Sequence, residues 1–212
     1  MKEIEHKNNL KTIFGDMFSF GAFASGGGSN FRALLDHSED GSLGGVCKFL
    51  IVNNGDCGAV QIAKDHGIPV FHISGKTHPV VAEYEQAILE VCKQFNVDFI
   101  TLAGYMKKIP DSLLEAFPKR VLNIHPSLLP KFGGKGFWGI HVHEAVIAAH
   151  ETESGPTIHL VTGEIDGGRI LAQTKVPVLP TDDAHELAAR VLVQEHALYW
   201  KTLRDYANEV LG

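Results

Sequence analysis

The chain has 212 residues, with 19 Lys plus Arg against 25 Asp plus Glu, a formal net charge of −6 that leaves 12 histidines uncounted. That length suits one α/β domain with a real core, and the acidic balance excludes a general polyanion binder, whose affinity would rest on Lys/Arg-rich faces; a pocket for a single phosphate stays open. Hydrophobic residues at 44% exclude a disordered or collagenous chain, and three isolated cysteines, Cys47, Cys57 and Cys92, fit a reducing compartment better than a disulfide framework.

Residues 1–17 read as a polar amino-terminal extension ahead of a single domain at 18–212. Residues 1–11 contain no apolar signal-like core, and the longest mainly apolar stretch, 99–106, falls far short of the ~20 residues of a membrane span. The expected location is therefore cytoplasmic, with no membrane contact.

Residues 18–24 read as a first strand, followed by the glycine loop Ser25-Gly26-Gly27-Gly28-Ser29-Asn30 and a helical pattern at 31–35. A β-rich run at 47–52 ends at Asn53-Asn54-Gly55, 59–66 looks helical before Gly67-Ile68-Pro69, and 70–73 is a third strand. Between 80 and 95, Val81, Tyr84, Ile88, Val91, Cys92 and Phe95 recur at steps of three and four, an amphipathic helix leading into a buried strand at 97–102. A short helix at 111–116 and a strand at 121–124 precede a segment at 126–139 too broken by Pro and Gly for regular structure, then a helix near 143–149. Two β-rich runs, 157–162 and 170–178, flank Gly163-Glu164-Ile165-Asp166-Gly167-Gly168 as a hairpin with an acidic turn, and one long helix from 183 to about 206 closes the chain. The alternation predicts an α/β fold with a doubly wound, mostly parallel sheet and an antiparallel edge hairpin.

Three places carry chemistry. A strand-to-helix glycine loop lets backbone N–H groups of Gly28, Ser29 and Asn30 approach an anion, with the helix dipole adding favourable potential. Neither GxGxxG nor GxxxxGK[ST] is present, and a plain tight turn explains the glycines as well. In Asn123-Ile124-His125-Pro126 the extended Asn-x-His sets an amide donor beside an imidazole on one face of a strand end, a pairing suited to an oxyanion in acyl transfer and equally compatible with a structural role. Asp166, in its Asp-Gly-Gly turn, would favour a charged His125 if it faced the ring; taken alone it is a turn signal. His141 and His143 share the HxH spacing of some metal sites and could be grouped with His125 and Asp166, but they sit where a helix begins after a Gly-rich loop, and no metal is expected.

These residues together spell a family. Ser25 to Asn30 after the first strand, Leu102-Ala103-Gly104-Tyr105-Met106 closing a middle strand, the octapeptide Asn123-Ile124-His125-Pro126-Ser127-Leu128-Leu129-Pro130, residues 162–168 with Asp166, and Gln194-Glu195-His196 occur in the order found in phosphoribosylglycinamide formyltransferases. The chain resembles that family from about residue 18 to 206. The octapeptide marks formyl-folate enzymes at large, while the glycine loop and the Gln-Glu-His segment favour the glycinamide ribonucleotide branch.

The resemblance implies transfer of the formyl group of 10-formyltetrahydrofolate, as co-substrate, to the amine of glycinamide ribonucleotide in purine biosynthesis, by a monomer or homodimer without metal, nicotinamide or nucleic acid. It implies that Gly28, Ser29 and Asn30 bind the ribonucleotide phosphate and Glu195 its ribose. It further implies that Met106, Lys107, Lys108 and Ile109, Asn123, and the backbone of Thr162, Gly163, Glu164 and Ile165 line the folate site. Asn123, His125 and Asp166 are the implied catalytic group, with His125 as general acid and oxyanion stabiliser, kept charged by Asp166. Three departures from the family pattern stand out: a glycine-rich loop at 131–139 that could act as a lid, Val81 where some relatives carry a folate-contacting Arg (with Lys76 or His78 as substitutes), and Lys107 as the basic residue after Met106. The alternatives are a formyltetrahydrofolate hydrolase and a methionyl-tRNA formyltransferase, each disfavoured by length, and a catalytically silent folate- or nucleotide-binding module. A Rossmann dehydrogenase lacks its fingerprint here.

Overall fold

A computed structural model describes residues 17–212; the expected extension at 1–17 lies, Met17 apart, outside the described residues. Seven strands form the main sheet in the order β3-β2-β1-β4-β5-β7-β8. They are β1 (Phe18–Ala24), β2 (Gly45–Val52), β3 (Val70–His72), β4 (Phe99–Leu102), β5 (Val121–His125), β7 (Thr157–Leu160) and β8 (Ile170–Gln173). The first five run parallel, and β7 and β8 add antiparallel pairings. Helices α1 (Ser29–Glu39), α2 (Gly58–Asp65), α3 (Val81–Phe95), α4 (Asp111–Ala116), α5 (Ile140–Ala148) and α6 (Ala184–Leu211) connect and cover it.

The central parallel strands β1, β2 and β4 are nearly continuous runs of buried residues, as a sheet covered on both faces requires, while the edge strand β3 is partly exposed. One face packs Phe20, Phe31, Leu34, Leu50 and Phe99 against Tyr199 and Leu203 of α6. The other packs Phe23, Phe49, Ile51 and Ile100 against Ile88, Val91 and Cys92 of α3. Of the apolar steps in residues 80–95, Ile88, Val91 and Cys92 form the buried stripe of α3 with Tyr84 and Phe95 packed beside them, while Val81 is exposed. Tyr199 ties α6 to the sheet: its hydroxyl contacts the carbonyl oxygens of Leu102 (3.2 Å) and Leu122 (3.0 Å).

One expected element divides. The run at 170–178 is β8 followed by a separate β9 (Val176–Pro177), and β9 leaves the main sheet to pair with β6 (Glu153–Ser154) in a two-stranded ribbon. At Gly155 (φ 143°) the backbone presses so close to the Thr174 carbonyl that a Cβ would lie 1.8 Å from its oxygen, so only glycine fits where β8 gives way to the ribbon. The helix expected near 143–149 starts earlier, at Ile140, and α1 extends to Glu39.

The strand order reverses between β1 and β4, which opens a crevice at their carboxyl ends, where α/β sheets bind ligands. Its rim is stitched by the Ser25 N–H donating to the Gly104 carbonyl (3.1 Å) and the Met106 N–H donating to Ser25 Oγ (2.8 Å).

Candidate active site

The glycine loop enters α1 through Gly28, which is left-handed (φ 79°) and lies so close to α2 that a Cβ would meet Ala59 at 2.8 Å. Only glycine fits on both counts. The first helical bond is from the Arg32 N–H to the Gly28 carbonyl (2.8 Å), which leaves the N–H groups of Ser29, Asn30 and Phe31 without an intrahelical acceptor. Ser29 and Asn30 line a cavity of about 720 Å³; Gly28 sits behind them and does not.

At the other end of this cavity, β5 delivers Asn123 and His125 to the same wall, as residues two apart on a strand must be. The loop after β5 is held by its antiparallel neighbours. Thr157 Oγ of β7 donates to the Ser127 carbonyl (2.6 Å), and Gln173 Nε2 of β8 donates to the Leu129 carbonyl (3.0 Å). The chain then turns through Phe132 (φ 54°), whose carbonyl accepts from His125 Nε2 (2.8 Å).

Asp166, itself left-handed (φ 55°), faces His125 from the far loop, with Oδ2 at 3.5 Å from Nδ1. The same oxygen accepts from the Gly134 N–H (2.8 Å). Burial would raise the Asp166 pKa, but neighbouring His159 and His125 and the Gly134 N–H outweigh it and hold the carboxyl below its ordinary value. Asp166 is therefore an anion at neutral pH.

His125 departs from the sequence expectation in its charge. Burial lowers its pKa, and although Asp166 and the Phe132 carbonyl pull upward, the net shift is down, so the ring is neutral at rest. The aspartate pulls in the expected direction without overcoming desolvation. With Nε2–H donated to the Phe132 carbonyl, the neutral ring leaves Nδ1 unprotonated on the Asp166 side.

Two further histidines complete the group, and neither was singled out for this role from the sequence. His159 of β7 uses Nδ1 to donate to the Leu160 carbonyl (3.0 Å), so Nε2 accepts from Asn123 Nδ2 (3.0 Å) and fixes that amide. The signal for it was the alternation in Thr157-Ile158-His159-Leu160, where a buried polar residue beside β5 breaks an otherwise apolar pattern. His143 is buried against the cavity, and burial, with His125 adding repulsion, pushes its pKa down to about 4. His141 points elsewhere, paired with Glu144 at 2.9 Å, because residues two apart on a helix diverge. Among the described residues no group of three or more His, Cys, Asp and Glu side chains stands ready to hold a metal.

Met106, Lys107, Lys108 and Ile109 line the cavity on the β4 side, and Thr162, Gly163, Glu164 and Ile165 line it beside Asp166. Glu195 of α6 lines it near Asn30. From the 131–139 loop, Gly134 to Gly139 form part of the wall. Val81, exposed at the start of α3, lies instead on an adjoining cavity with Lys76, His78, Lys107 and Lys108.

The comparisons agree with this geometry. The formyl transferase family profile matches residues 20–203. The chain is 50% identical over 188 residues to a chloroplastic phosphoribosylglycinamide formyltransferase of Arabidopsis thaliana, covering 88% of this chain and 64% of that protein. It is 32% identical to the phosphoribosylglycinamide formyltransferase of Escherichia coli, covering 87% of this chain and 84% of that one. The chain thus spans about 60–64% of the length of three plant relatives it matches. Among solved structures, glycinamide ribonucleotide transformylase 1 from Symbiobacterium toebii superposes with a TM-score of 0.86 at 33% identity, covering 92% of this chain and 90% of that one. On profile, sequence and structure alike, the chain belongs to the formyl transferase family.

Proposed function

We propose that the chain transfers the formyl group of 10-formyltetrahydrofolate to the amine of glycinamide ribonucleotide, as the names of its relatives indicate for them. The observation that carries the reading is the arrangement of Asn123, His125 and Asp166 at one end of a cavity whose other end is the open N-terminus of α1. An anion-binding helix end and a proton-transfer group facing one space suit a phosphorylated amine meeting an acyl donor.

In this reading the phosphate rests on the backbone N–H groups of the Gly28-Ser29-Asn30 turn and the ribose on Glu195. The folate lies along residues 106–109 and 162–165, with Lys76, His78 and Lys107 available for its acidic tail in place of an Arg at Val81. The amine attacks the formyl carbon, and negative charge grows on the formyl oxygen. Asn123 Nδ2 spends one N–H on His159 and keeps a second for that oxygen. The proton shed by the attacking nitrogen has to reach the departing folate nitrogen. His125, neutral at rest, takes it and returns it, and the Asp166 anion steadies the imidazolium in between. Holding both substrates in one crevice supplies the proximity contribution.

The domain limits at 18–212, a cytoplasmic location and a monomeric or dimeric state belong to the same proposal. Among the described residues no helix is long and apolar enough to cross a membrane, while the plant relatives are named chloroplastic. The test is tetrahydrofolate release from 10-formyltetrahydrofolate, followed with and without glycinamide ribonucleotide. Release that depends on the ribonucleotide is expected; equal release without it would mean a hydrolase, and none in either case would mean a silent binding module.

A further inference from the structure

Among the described residues, nothing hydrogen-bonds to the ring of His143. The residue sits in the first turn of α5 and is 4% exposed, and its Nδ1 is fully enclosed without a partner. Nε2 is not among the enclosed polar atoms, and the residue lines the cavity, so Nε2 is the edge that faces it. Folded proteins almost never enclose an N–H without an acceptor, so Nδ1 keeps its lone pair and the proton sits on Nε2. The ring therefore presents an N–H donor to the cavity. It does so without charge, because burial pushes its pKa down to about 4.

The donors of the neighbouring rings are already engaged. His125 gives its Nε2–H to the Phe132 carbonyl (2.8 Å), and its Nδ1 faces Asp166. His159 gives Nδ1–H to the Leu160 carbonyl (3.0 Å), and its Nε2 accepts from Asn123 (3.0 Å). One Asn123 N–H is left for the oxygen that gains charge, and an enclosed oxyanion is held better by two donors. His143 lies close enough to His125 for the two rings to repel, which puts its N–H at the catalytic end of the cavity. A donor there suits the formyl oxygen and not the attacking amine, whose lone pair has to stay free to form the new bond.

We propose that His143 is a further catalytic residue, whose Nε2–H joins the free Asn123 N–H in holding the formyl oxygen as charge grows on it. The proposal rests on the formyl-transfer reading and deepens it: His125 carries the proton, while the oxygen is held by two uncharged donors. A neutral imidazole polarises such an oxygen and keeps its own proton.

Nitrogen-15 NMR of the histidine rings reads the tautomer without turnover. At neutral pH the His143 signals, identified by their loss in His143→Phe, should show a protonated Nε2 and a bare Nδ1. Kinetics reads the role. His143→Phe keeps a flat ring and removes the donor; it should lower kcat roughly a hundred-fold and leave KM for both substrates within about three-fold. His143→Gln, whose amide nitrogen reaches about as far as Nε2, should recover about ten-fold of that loss. Thermal melting checks that each variant is folded. A purely structural ring would give no such split between kcat and KM and no recovery with Gln.

An Nδ1–H tautomer, a His143→Phe kcat within about three-fold of wild type, or a loss confined to KM would each overturn the proposal and leave the proposed function standing. A wild type that releases tetrahydrofolate equally without the ribonucleotide would break the proposed acceptor, and the same fall of that release in His143→Phe would keep the donor. No release under either condition would break both.

Discussion

The two halves of the sheet spend polar groups differently. From β1 to β4 the interior is almost wholly apolar, with Asn30, Ser74 and Thr101 the buried polar residues of that half. From β5 onward His125, Ser127, His143, Ser154, Thr157, His159, Glu195 and Thr202 are all buried, and His125, His143, His159 and Glu195 among them line one cavity. The first half is a platform whose stability comes from hydrophobic burial; the second accepts desolvation to hold a reactive arrangement. Variants of the apolar core of the first half should cost folding, and variants of Asn123, His125 and Asp166 in the second should cost chemistry.

The largest effect expected is on chemistry. His125→Ala removes the proton carrier and should lower turnover roughly a thousand-fold, with circular dichroism unchanged; turnover within ten-fold of wild type would end its assignment. Next comes folding: Phe20→Ala empties a fully buried site on β1 and should cost about 3–5 kcal/mol in urea unfolding. The protein that remains folded should keep its kcat, and a kcat loss exceeding the folding loss would blur the division between the halves.

A third, smaller effect is the acid limb of stability. His143 has a folded pKa of about 4 against an ordinary 6.5. Between those values the unfolded chain binds the proton and the folded one does not, so stability is full above about pH 6.5 and falls as pH drops toward 4. The loss has an upper bound of roughly 3 kcal/mol. Replacing His143 by Asn should flatten that limb in melts taken at a series of pH values, and an unchanged slope would show that the buried ring is not what the acid titrates. Smallest is Tyr199→Phe, which leaves the Leu102 and Leu122 carbonyls without their hydroxyl and should cost about 1–2 kcal/mol with activity unaffected.

Legibility followed the same divide. The parallel half could be read from local pattern, because buried runs such as 18–24 and the three-and-four stepping of 81–95 are set by near neighbours. The division of 170–178 into β8 and β9 could not, since it involves Gly155 meeting Thr174, nineteen residues on in the same chain, and the pairing of β9 with β6. Asn123, His125 and Asp166 were named through a motif, but the partners that govern their chemistry were not. His159 reaches Asn123 by antiparallel pairing of β5 and β7, and the Phe132 carbonyl reaches His125 by a turn that no side-chain pattern announces. The burial that lowers the His125 pKa is illegible for a related reason: a facing carboxylate can be inferred from sequence, whereas the depth of burial that opposes it cannot.

The central claim is that this arrangement moves a formyl group between two bound molecules. It is tested most directly by following an isotopically labelled formyl carbon from 10-formyltetrahydrofolate through a single turnover by NMR. The account predicts that the label appears on the glycinamide nitrogen in step with tetrahydrofolate, and does not do so in His125→Ala. Label recovered as free formate, or label that never leaves the folate, would contradict it.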